Sequence, residues 1–221
     1  MIIATSVSPH LFWITSRAAG IVSLVLASLA VSAGLVMSLR MMRARRPDLV
    51  VLHEVLSLGT LAALAVHGLA LLGDHFLSPT LTDIALPFAW SYQTLWTSIG
   101  IIGGWALIIL GVSYYARHAI GANRWRKLHR FTALAWIAGV VHTLGEGTDA
   151  GQMWFLAMLA VVAVPAIVLL AVRYLTEEET PRPTAGPRNQ RPREELQPRR
   201  VADHEARELP AAPRPAGPAL G

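Results

Sequence analysis

The chain has 221 residues, 53% of them hydrophobic, with a positive mean hydropathy, which argues against a soluble globular protein. Cysteine is absent, which excludes disulfides, cysteine-ligated clusters and cofactor attachment through a CxxCH motif. The formal net charge of +5 lies in the apolar-rich part, because the stretch from Thr176 onward carries eight arginines against eight acidic residues. Basic side chains set beside apolar runs suit a bilayer rather than nucleic acid.

Apolar runs long enough to cross a bilayer, roughly 20 residues each, recur along the chain. The first covers Phe12 to Leu39, and its one charge before the end is Arg17. Its basic residues (Arg40, Arg43, Arg45, Arg46) come after the apolar core rather than before it, which predicts a retained span rather than a cleaved signal peptide. The second run covers Leu49 to Gly73, the third Tyr92 to Ala116, the fourth Leu128 to Leu144 and the fifth Met153 to Leu175, with Pro165 expected to kink the last. Arginine and lysine crowd the loops after spans one and three and are missing from the residues before Arg17, from Asp74 to Ser91 and from Glu146 to Gln152. The positive-inside rule then predicts a multi-pass cell-membrane protein with its N-terminus outside and C-terminus cytoplasmic. Residues 176–221 are rich in Pro, Arg and Glu and poor in large apolar side chains, a composition that predicts a disordered cytoplasmic tail after a membrane domain over residues 1–175.

Four histidines fall inside the spans. His53 and His67 (HEVLSLGTLAALAVH) belong to span two, and His129 and His142 (in WRKLHRFTALAWIAGVVH, Trp125 to His142) to span four. Ionisable groups in apolar spans are costly and mark cofactors, ion paths or proton relays. At 1.5 Å rise per residue each helix sets its two histidines about 20 Å apart, so His53 can pair with His129 near the inner face and His67 with His142 near the outer face. Haem iron accepts two neutral imidazoles along its axis, and two such pairs predict two haems gripped between spans two and four. Helical phase complicates this. Fourteen steps return His67 to the face of His53, whereas thirteen leave His129 and His142 roughly 140° apart on an ideal helix, so tilt, a distortion near Gly139 or approach from different sides is required. The plainer alternative is a set of polar residues bonded across helix interfaces. A zinc site fits less well, since the two pairs cannot share one ion and no carboxylate accompanies the outer pair within its span. Asp74 and His75 offer a weaker metal site in an outer loop, with an ordinary polar loop as the competing reading.

Taken together, SRAAG (Arg17 with Gly20) at the start of span one, His53-x13-His67, and WRKLHR leading into His129-x12-His142 resemble the ferric reductase-like transmembrane domain. That domain is shared by NADPH oxidases, ferric reductases and the haem subunit of the bacterial periplasmic methionine-sulfoxide reductase. The resemblance covers about Leu11 to Leu175. It implies an all-α bundle holding two haem b groups, with His53, His67, His129 and His142 as iron ligands and Arg17 placed to meet a haem propionate or, alternatively, snorkelling at a helix end. Members of this family have a six-span form, whereas five spans are counted here. The 46 residues after Leu175 are too few and too proline-rich for a nicotinamide-binding unit, and GIIGGW (Gly100 to Trp105) lies inside an apolar span. The expected function is therefore the haem-binding electron-transfer component of an oxidoreductase. Electrons would come from a separate flavoprotein, which would hold any FAD, or from membrane quinol; an outer-face reductase, ferric iron or oxygen would accept them. The competing reading is a haem-free membrane scaffold or transport module.

Overall fold

The computed structural model describes residues 10–178; the predicted tail beyond Glu178 lies outside the described residues. Among the described residues every regular element is helical. Helix α1 spans Leu11–Ser38, α2 Arg46–Leu71, α3 Leu81–Ala85, α4 Thr94–Val112, α5 Arg117–Ile120, α6 Ala122–His129, α7 Thr132–Glu146 and α8 Met153–Glu178. In a bilayer each backbone N–H and C=O must be satisfied within its own segment, which is why apolar runs of this length become helices. Four of the helices, α1, α2, α4 and α8, are long and apolar enough to cross a membrane.

The boundaries have local causes. Helix α1 stops where Arg40 turns left-handed, at φ 57°, and a 3₁₀ turn over Arg43–Arg45 leads into α2. Proline and Asp48 in the first turn of α2 suit a helix start, where N–H groups lack partners and negative charge is favoured. The short α3 is nucleated by a reciprocal cap between Thr80 and Asp83. Helix α8 runs unbroken through Pro165 and continues to Glu178, a few residues past the predicted end of the span.

The fourth predicted span departs most from expectation. It is two helices, α6 and α7, separated at Arg130–Phe131, and α7 has only 15 residues. Here the backbone tightens: Phe131 N–H reaches the Leu128 carbonyl (3.0 Å) and Ala133 N–H the Arg130 carbonyl (3.3 Å), both three residues back. Three-residue closure turns the chain by about 120° per residue instead of 100°, so a few such residues remove about half of the phase offset between His129 and His142. The distortion sits between the two histidines, not at Gly139, through which α7 runs unbroken.

Helices α1 and α2 pack along their whole lengths, as do α4 and α7 to a lesser extent, giving two antiparallel hairpins. Small residues line the first of these contacts: Ser16, Ser23, Ala27 and Ala30 are buried, and the Ser23 hydroxyl donates to the Thr60 carbonyl. A further apolar core joins α1, α7 and α8 around Trp136, Phe155, Leu24, Leu159 and Ala166. Trp136 is 1% exposed, and its indole N–H donates to the Ser28 hydroxyl at 3.0 Å. Many large apolar side chains, such as Val55, Leu69, Ile109 and Val161, are exposed, as expected of helices whose outer faces meet lipid rather than water.

Candidate haem-binding site

The expectation that spans two and four pack against each other needs correction. Helices α2 and α7 barely touch through their backbones. What crosses between the hairpins is imidazole. His53 faces His129 with ring centroids 6.1 Å apart and planes at 88°, and His67 faces His142 at 6.4 Å and 72°. Both predicted pairs are therefore assembled, one near the arginine-rich loops and the other at the far end.

These distances are compatible with a shared metal. A metal–imidazole bond is about 2 Å and the ring nitrogen lies about 1.1 Å from the ring centre, so two imidazoles on one metal have centroids about 6.2 Å apart. Edge-to-face ring packing alone also allows about 4.5–7 Å, so distance is not sufficient. The tautomers add the second constraint. His53 Nδ1 lies 2.8 Å from the Ala30 carbonyl, His67 Nδ1 2.8 Å from the Ser16 carbonyl, and His142 Nδ1 2.9 Å from the Trp96 carbonyl. A carbonyl only accepts, so in each case Nδ1 carries the proton and donates. Nε2, across the ring, keeps its lone pair. Metal-ligating histidines are typically fixed in this way by a backbone carbonyl. The Ser16 hydroxyl adds to the outer-pair scaffold, donating to the His67 carbonyl at 2.9 Å. His129 is the exception: its Nδ1 is buried without a hydrogen-bond partner, and Trp125 stacks on its ring at 4.8 Å and 23°.

A cavity of about 630 Å³ adjoins the His53–His129 pair. Its wall is mostly apolar, with Ala27, Val31, Leu61 and Leu107 among its residues, and Arg126, Lys127, Arg130 and Arg173 also line it. An apolar slot with cations suits a flat macrocycle bearing carboxylates. Among the described residues no cluster of three or more His, Cys, Asp or Glu could hold a metal ion by itself. Two imidazoles per site fit a metal whose other ligands come from the macrocycle, and the residues around His53 and His129 thus fit haem.

Other predicted residues fall elsewhere. Arg17 does not extend toward a histidine pair as a free cation. Its Nε donates to Asp149 at 2.6 Å and a terminal nitrogen bonds the second carboxylate oxygen, while the guanidinium lies over Trp13 at 5.0 Å. The fork joins α1 to the α7–α8 loop. Asp74 is buried and accepts from the Phe76 and Leu77 N–H groups, so it caps a turn rather than forming a metal site with His75.

One neighbour was not singled out from sequence. Glu146 ends α7, accepts from the Thr97 hydroxyl at 3.0 Å, and holds its other oxygen 3.2 Å from His142 Nδ1. That oxygen makes no hydrogen bond, because the Nδ1–H points to the Trp96 carbonyl instead. The four-residue spacing from His142 to Glu146 was the available signal, since such residues share a helix face.

No family model matches the chain, and neither a curated protein nor a solved structure matches it.

Proposed function

We propose that this protein is a transmembrane dihaem b-type cytochrome that carries electrons between a donor on the arginine-rich side of the membrane and an acceptor on the other. The observation that supports this best is the coincidence of metal-bridging imidazole spacing in two separate pairs with Nδ1-protonated tautomers at three of the four rings, His53, His67 and His142. His53 and His129 would hold one haem, with Arg126 and Lys127 available to its carboxylates, and His67 and His142 the other. Bound haem supplies reversible one-electron chemistry at its iron. The chain orients the imidazoles, keeps water from the slot with apolar walls and spaces the two sites about 20 Å apart along α2.

In this reading the bent α6–α7 segment makes a fifth crossing. Its 25 residues from Ala122 to Glu146 span about 37 Å, enough for the hydrocarbon core, whereas α7 alone covers about 22 Å. The N-terminus lies outside and the C-terminus is cytoplasmic, as the arginine asymmetry requires. Electrons enter from a separate flavoprotein or from quinol and leave to an outer-face reductase, ferric iron or oxygen.

A dithionite-reduced minus oxidised spectrum and pyridine haemochrome assay of the purified full-length protein test this. Two haem b per chain are expected. A colourless protein, expressed in haem-replete cells, refutes the reading.

A further inference from the structure

The three carbonyls that fix histidines share a sequence neighbour. His67 donates to Ser16, and residue 20, four further on, is glycine; His53 donates to Ala30, and residue 34 is glycine; His142 donates to Trp96, and residue 100 is glycine. The geometry of a helix explains the interval. The carbonyl of residue i points toward residue i+4, and the Cβ of residue i+4 leans back toward the N-terminus, over that carbonyl. A slim hydroxyl can still reach such a carbonyl past a side chain, as Ser23 reaches Thr60, but an imidazole ring arriving from the side meets the Cβ of residue i+4 unless that residue is glycine. A Cβ placed on Gly100 would lie 2.5 Å from His142 Nδ1, and one on Gly20 2.9 Å from His67 Nδ1. On Gly34 it would lie 3.3 Å from His53 Cε1 and 3.6 Å from Nδ1, a milder intrusion.

The fourth histidine is held differently. The carbonyl that faces His129 is that of Leu110, fourteen residues after Trp96, as Ala30 is fourteen after Ser16. That carbonyl accepts from the Ser113 hydroxyl at 2.7 Å, just past the end of α4, and His129 Nδ1 makes no hydrogen bond. Instead the Trp125 ring lies flat against the imidazole, one helical turn earlier in α6.

We infer that Gly20, Gly34 and Gly100 are positioning residues: each opens a helix carbonyl to one haem-ligating histidine and so sets that ring's tautomer and rotation, while His129 is oriented by the face of Trp125. This rests on the dihaem reading, and its test separates the two. The full-length protein is purified as Gly20→Ala, Gly34→Ala, Gly100→Ala, Trp125→Leu and Trp125→Phe. Gly68→Ala and Gly139→Ala are controls, since an added Cβ there meets nothing. Haem per chain and the low-spin electron paramagnetic resonance signals of the two haems are read.

Gly20→Ala and Gly100→Ala should perturb the same haem, that of His67 and His142, with haem retention falling about tenfold or more. Gly34→Ala should keep both haems but shift the g-values of the other one. Trp125→Leu should shift that same signal, and Trp125→Phe, which keeps an aromatic face, should restore it. Should Gly100→Ala fail to accumulate, Gly34→Ala and the Trp125 pair carry the test. Wild-type signals in all three alanine variants, different haems affected by Gly20→Ala and Gly100→Ala, or equal loss in the controls overturn the inference while leaving the dihaem reading intact. A wild-type protein without haem overturns that reading, and this inference with it.

Discussion

Removing Arg17 tests whether that arginine serves the fold or the cofactor. Asp149 is 8% exposed, and both its carboxylate oxygens are bonded to the Arg17 guanidinium. The Arg17 side chain is 35% exposed and lies over Trp13, so it has an alternative environment that Asp149 lacks. Breaking a fully buried pair from one side costs about 3–5 kcal/mol, chiefly through the charge left behind. Partial exposure lowers this, so Arg17→Ala should cost about 2 kcal/mol and Asp149→Ala, which strands only the more solvated partner, about 1 kcal/mol. The double variant should be no worse than Arg17→Ala, since neither charge is then stranded. Thermal unfolding of the detergent-solubilised protein, followed by circular dichroism, gives the order. If Asp149→Ala is the more damaging single change, or if the two losses simply add, the pair is not what stabilises this end. If Arg17→Ala removes a haem that Asp149→Ala retains, the arginine binds the cofactor after all.

Three further outcomes are expected, two from particular contacts and one from loop charge. Ser28→Ala leaves the Trp136 indole N–H without an acceptor in a buried site and should lower stability by about 1–3 kcal/mol; adding Trp136→Phe, which removes the stranded donor, should bring no comparable second loss in the same melting assay. The Asp83 carboxyl is held below the usual carboxylate range, first by the Thr80 hydroxyl and then by the Thr80 N–H. A depressed folded value means that the cap's contribution is complete above the unfolded value and is lost as pH falls through the folded one. Amide-exchange protection over 81–85 should therefore persist at about pH 5 and fade below about pH 4, and pH-independent protection would contradict the cap. For the orientation, a reporter active only outside the cytoplasm should be silent when fused after Leu175 and active when inserted after Ser78; the reverse pattern would exchange the two ends.

How much of this was legible in sequence depends on whether the signal was periodic or pairwise. Four long helices were readable because apolar length alone dictates them. The histidine pairing was readable because ionisable residues in apolar runs are rare and their depths matched. The break at Arg130–Phe131 was not, since neither residue is a helix breaker; it appears only as the thirteen-residue step that an ideal helix cannot accommodate. The Arg17–Asp149 pair joins residues 132 positions apart, and no local pattern announces it. Helix α3 was hidden by its five residues, although Thr80 and Asp83 stand at the spacing of a capping box.

The fourteen-residue interval is where sequence and structure meet most closely. It separates His53 from His67 on α2, Ser16 from Ala30 and Gly20 from Gly34 on α1, and Trp96 from Leu110 on α4. An interval near four full turns returns each residue to one face, so an antiparallel neighbour with the same interval meets it twice in register. The first hairpin is thus a histidine helix, α2, laid against an acceptor helix, α1, whereas the thirteen-residue step of α6–α7 brings His142 alone to a carbonyl of α4. The acceptor helices hold His53, His67 and His142 from behind, at the Nδ1 side of their rings. The front is left to the imidazoles, which explains why α2 and α7 can face each other while their backbones barely touch. A slot kept open in this way needs no wide backbone frame of its own. It needs two tightly packed hairpins, and the small residues and glycines of α1 and α4 are what let them pack so closely.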